Sequence, residues 1–119
     1  MKNNIVKEKS CQLALEIVNV YKSLTRDHKE FILSKQLVRS GTSVGANIEE
    51  AIGAHSKKDF LSKIVIAYKE ARETRYWLNL LRDSGYIKEE MAKHLIDKAE
   101  ELCKIMARIQ MTLRKQIEK

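Results

Sequence analysis

Proline is absent from this 119-residue chain, glycine occurs only four times and cysteine twice. Without proline, no helix need be broken from within. No stretch alternates apolar and polar residues with period two over a useful length, which argues against strands. No apolar run approaches the roughly 20 residues of a membrane span. The charged, polar opening Met1–Lys9 is not that of a secretory signal. These absences predict a soluble, cytoplasmic protein. Cys11 and Cys103 lie far apart in apolar helical patterns with no metal-type neighbour, so both are expected to be buried, reduced thiols.

What is present is helical periodicity. Val6, Leu13, Ile17, Val20 and Leu24 mark a first helix that stops near Thr25–His28. Leu37, Gly41, Val44, Ile48 and Ala51 mark a second, predicted from about Lys29 to Ala54. Ser56 is suited to cap a third, whose seam is Phe60, Ile64, Ala67, Ala71, Thr74, Leu78 and Leu81. Gly85 is suited to end it in a left-handed conformation. A fourth starts near Lys88, with Met91, Leu95, Leu102, Met106, Ile109 and Leu113 on its buried face. Long helices joined by short loops fold back on one another. The expectation is all-α: one domain over 1–119, an antiparallel up-down-up-down four-helix bundle roughly 35–45 Å long at 1.5 Å per residue.

The second helix carries small and hydroxyl-bearing residues, including Ser40, Gly41, Ser43 and Gly45. Glycine costs a helix interior about 1 kcal/mol relative to alanine. That cost is acceptable where a helix, subunit or ligand comes close to the backbone. Polar rows flank the apolar seams: Ser40 with Asn47 and Gln36 with Ser43 and Glu50 on the second helix, Glu70 with Trp77 and Glu73 beside Thr74 on the third. Such rows can meet and hydrogen-bond, fixing helix register or a subunit interface.

The catalytic and metal chemistries common in bundles find little to work with. A di-metal carboxylate site needs Glu-x-x-His on two helices. His28, His55 and His94 follow Thr25, Ile52 and Met91 instead, and Glu90 with His94 reads as an ordinary surface pair. Gly41-x-x-x-Gly45 lacks the Gly-Lys-Ser/Thr ending of a phosphate loop. Ser40, Thr42 and Ser43 have no histidine in their own segment. No enzyme, metal or cofactor is expected.

The formal charge of +7 makes an anionic partner plausible. Helix three contributes Lys57, Lys58, Lys63, Lys69, Arg72, Arg75 and Arg82, and helix four adds Lys104, Arg108, Arg114 and Lys115. Phosphate neutralisation by such groups gives sequence-independent, salt-sensitive nucleic-acid binding. The plainer alternative is a set of solubilising faces with i,i+4 partners. Standard DNA-reading motifs and aromatic RNA-binding strands are missing. Tyr76 and Trp77 are adjacent, so one of them must lie at a bundle edge, where aromatic residues favour protein interfaces.

Two blocks carry a resemblance. One is Gln36-Leu37-x-Arg39-Ser40-x-x-Ser43-Val44-x-Ala46-Asn47-Ile48-x-Glu50-Ala51. The other is Asp59-Phe60-x-x-Lys63 followed by Ala67-x-Lys69-Glu70-Ala71-x-Glu73-Thr74-x-Tyr76-Trp77-Leu78-x-Leu80-Leu81. Together they resemble the bacterial four-helix-bundle proteins encoded in intervening sequences of 23S ribosomal RNA genes, in order and over nearly the whole chain. The chain is also similar to the accessory protein of diversity-generating retroelements. The resemblance implies a ring-like homopentamer and an RNA or ribonucleoprotein context, with no catalytic residues. It assigns Arg39, Ser40, Ser43, Asn47, Glu50, Glu70, Glu73 and Thr74 to packing or subunit contact, and the residue pattern itself adds Gly41, Gly45, Tyr76 and Trp77 to that set. The competing expectation is a protein-interaction scaffold that binds no nucleic acid.

Overall fold

A computed structural model describes residues 2–118, with side chains from Ile5 onward. Met1 and Lys119 lie outside the described residues. Four helices make up the chain: α1 (Lys2–Asp27), α2 (Leu33–Ile52), α3 (Lys57–Asp83) and α4 (Glu89–Glu118). Among the described residues there is no strand. Each helix packs on two others in a ring of neighbours. The α2–α3 seam is the most extensive and the α1–α4 seam the thinnest.

The periodic residues become the core. Leu13, Ile17, Leu37, Ile48, Leu78 and Leu102 are fully buried, each a burial of about 1.5–3 kcal/mol. On α4 the pattern holds only in the middle. Ile109 and Leu113 are half-buried, and Met91, expected inside, is exposed. Met91 stands one position before buried Ala92, a residue small enough to let α4 start close to its neighbours. Cys11 also departs from expectation: it is exposed, on the opposite side of α1 from the Leu13–Ile17 stripe. Cys103 is buried, and burial pushes its thiol pKa up.

The small residues of α2 serve helix contact unequally. A Cβ on Gly41 would stand 2.6 Å from Cδ1 and 2.9 Å from Cγ2 of Ile17. Glycine is what lets α1 and α2 approach there. Gly45 is not needed in the same way, because its added Cβ would meet nothing closer than Ser10 Oγ at 3.4 Å.

The turns explain the helix limits. Ser56 caps α3 as expected, its Oγ accepting from the Asp59 amide at 3.0 Å. Gly85 takes φ 84° beyond the end of α3. Helix α2, however, begins at Leu33 rather than Lys29. Lys29 itself is left-handed at φ 54°, and the Glu30 amide donates back to the Leu24 carbonyl at 3.0 Å, closing α1. The Glu30 carboxylate then accepts from the amides of Ile32 (3.1 Å), Leu33 (3.0 Å) and Ser34 (2.7 Å). These are the orphan donors of a helix start, satisfied from outside the helix. Burial works to raise the Glu30 pKa, but the amides outweigh it and hold the carboxyl below its ordinary value.

The bundle is 52 Å long, more than its helices predict singly. The excess is stagger. Lys9 bridges Glu101 at 3.1 Å and Glu16 meets His94 at 2.8 Å, which sets an antiparallel α1–α4 register. Continued toward the start of α1, that register brings Ile5 level with Ile105. Positions 109–118 of α4 then run past the first turn of α1.

Candidate functional site

The overrun of α4 creates the most distinctive surface of the molecule. The inner stripe Ile105–Ile109–Leu113 forms one wall of an open cavity of about 730 Å³. Ile52, from the end of α2, and Phe60, from the start of α3, also line it. Its polar lining among the described residues comprises His55, Ser56, Lys57, Arg108, Thr112 and Gln116, with no carboxylate. A second, shallower groove of about 360 Å³ runs along the outer α3–α4 seam at the same end. Lys58 and Arg114 line it with Leu61, Val65, Ile66 and Ile117, again without a carboxylate among the described residues.

The two helix ends thus bring Lys57, Lys58, Arg108 and Arg114 together, with exposed Lys115 one position beyond Arg114. Among the described residues none of these five makes an ion pair within 4.0 Å. Their placement is also locally sound: Arg114 and Lys115 sit at the negative end of the α4 dipole.

The remaining basic candidates do not join this cluster. Arg82 lies at the far end of α3, roughly 37 Å from Lys57 at 1.5 Å per residue. It bridges Asp83 at 3.0 Å and Glu89 at 3.7 Å. Arg75 contacts Glu100 at 3.4 Å. Arg72 stands 5.9 Å from the Tyr68 ring centroid, a cation–π contact. Lys104 lines a groove with Asp97, Glu100 and Glu101. Lys63 is half-buried and makes no ion pair among the described residues. Arg75 and Arg82 are thus held in ion pairs, whereas the basic residues at the α4-terminal end are not.

The polar residues of the α2–α3 seam form structural contacts. Thr74 Oγ1 lies 2.9 Å from Ser40 Oγ and 2.8 Å from the Glu70 carbonyl, both side chains fully buried. Arg39 donates to Glu70 at 3.3 Å and to Glu73, and Glu73 also accepts from Trp77 Nε1 at 2.9 Å. The two carboxylates therefore face a guanidinium, not a reactive centre. Ser43 and Asn47 bond back to carbonyls of their own helix, and Glu50 is exposed. Tyr76 is the edge aromatic: it is exposed and stacks edge-on against half-buried Trp77. His94 pairs with Glu16 of α1 rather than with Glu90, a cross-helix contact that sequence spacing could not reveal. No cluster of three or more metal-ligating side chains occurs among the described residues, and no helix is long and apolar enough to cross a membrane.

Comparison with curated proteins finds no match. Among solved structures, the chain superposes with TM-score 0.91 on a protein of unknown function from the S23 ribosomal protein family of Bacteroides thetaiotaomicron. The two are 49% identical, and the match covers 93% of this chain and 99% of that one. The family model described as 23S rRNA-intervening sequence protein matches residues 2–108, spanning all but the tail of α4. On that match the chain belongs to the 23S rRNA-intervening sequence protein family.

Proposed function

We propose that the protein is a non-enzymatic, cytoplasmic homopentamer that binds RNA or a ribonucleoprotein through the basic end of each bundle. The observation that carries this reading is the placement of Lys57, Lys58, Arg108 and Arg114 around two grooves at one end that no carboxylate lines among the described residues. Unpaired cations at one end attract a polyanion, whereas cations in ion pairs do not. Family membership supports an RNA context, and the resemblance described above supports the pentamer.

The test is binding of 23S rRNA fragments as a function of salt. Five phosphate contacts give a slope in log affinity against log salt of about −3.5 to −4.5. Affinity then falls by about two to three decades between 50 and 200 mM salt. Replacing Lys57, Lys58 and Arg114 by glutamine lowers the slope by about one for each contact removed, while Arg82→Gln leaves it unchanged. No binding at 50 mM salt refutes the reading. Light scattering after size exclusion checks the assembly, and a monomeric mass refutes the pentamer.

A second reading, a protein-interaction scaffold, rests on Phe31 and Ile32, large apolar side chains exposed side by side at the opposite tip. Capture of a protein partner that survives nuclease treatment and is lost in Ile32→Glu favours it.

A further inference from the structure

The cavity between α1 and the α4 overrun has a character that phosphate attraction alone does not use. Its wall is aliphatic, with Ile5, Ile52, Ile105, Ile109 and Leu113 predominating over Phe60 and His55. Single-stranded bases are held by aromatic platforms, and this cavity offers few. At about 730 Å³ it falls in the range of small-molecule pockets, which are mostly apolar with a few polar groups that fix orientation. Lys57 and Arg108 are those groups. Neither has an ion-pair partner among the described residues, and no carboxylate lines the cavity to compete for them. The complementary occupant is aliphatic along one side and negative at one end.

We propose that this cavity binds a single-chain amphipathic carboxylate of the fatty-acid class, its chain along Ile105–Ile109–Leu113 and its carboxylate between Lys57 and Arg108. The inference does not rest on RNA binding, because the aliphatic wall, not the phosphate-attracting charge, sets the ligand.

The probe is dodecanoate, titrated against the full chain by calorimetry below its micellar concentration, with decanoate, octanoate and dodecanol as comparisons. Saturable binding is expected, tightening about fourfold for each added methylene. Dodecanol is expected to bind about fivefold more weakly, and Arg108→Gln to lose the same factor for dodecanoate but not for dodecanol. Ile109→Glu and, nearer the open end, Leu113→Glu should each abolish binding while circular dichroism retains the parent's helicity. Leu113→Glu keeps the test alive if Ile109→Glu fails to fold. Binding that is absent below the micellar concentration, indifferent to chain length, or unchanged in Leu113→Glu overturns the proposal. So does recruitment to phosphatidylglycerol vesicles without dodecanoate binding. A drop in assembly mass in Leu113→Glu with no dodecanoate binding by the parent assigns the cavity to a second copy and likewise overturns it.

Discussion

Helices α2 and α4 are both strongly amphipathic, yet the apolar stripe of one is buried from Ser34 to Ala51 and that of the other opens onto a cavity. Helix α2 is short and held between α1 and α3, with Ser34, Leu37, Ser40, Gly41, Val44, Ile48 and Ala51 all buried. Helix α4 is the longest, and its apolar stripe continues past the partner that should cover it. The same pattern of side chains therefore yields core in one place and an open cavity wall in the other. Length and register decide which, not hydrophobicity.

The sharpest way to break this comparison is to truncate the same residue type on each helix. Ile48→Ala, at a fully enclosed site, should cost about 2–5 kcal/mol. Ile109→Ala should cost about 1 kcal/mol or less, since its surroundings are already open. Urea denaturation measures both, and equal losses would show that the overrun is covered in solution.

The glycines give the next contrast. Gly41→Leu drives a side chain into Ile17 and should destabilise by about 1–3 kcal/mol through overpacking. Gly45→Ala has room for its methyl and should gain up to about 1 kcal/mol from helix propensity. Thermal unfolding of the two variants should move in opposite directions.

The smallest effect concerns how α2 is started. Glu30→Gln weakens three amide contacts and should cost about 1 kcal/mol at neutral pH. Because the folded carboxyl titrates below its ordinary value, its contribution is full above that value. The contribution is lost as pH falls through the lower, folded value. Stability curves of parent and variant should therefore converge in acid. Parallel curves would mean that the carboxylate does not hold the turn.

Most of the fold was legible because it is local. The stripes of α1, α2 and α3, the Ser56 cap and the Gly85 stop each depend on residues within a few positions of one another. The start of α2 departs from expectation for a physical reason: Phe31, Ile32 and Leu33 extend the apolar pattern backward, and a glutamate three residues before a helix is not an ordinary cap. Among the basic residues, only the structure separates Lys57 and Arg114 from the ion-paired Arg75 and Arg82. The cavity was not legible at all. It arises from an offset between the first and last helices, distant in sequence, and no spacing within α4 announces it.

The unequal cysteines have a practical consequence. Cys103 is enclosed with its thiol held protonated, whereas Cys11 faces outward on α1. A maleimide fluorophore at neutral pH then reacts at one place per chain. In the proposed pentamer each particle would carry as many dyes as subunits, and photobleaching steps would count them one molecule at a time.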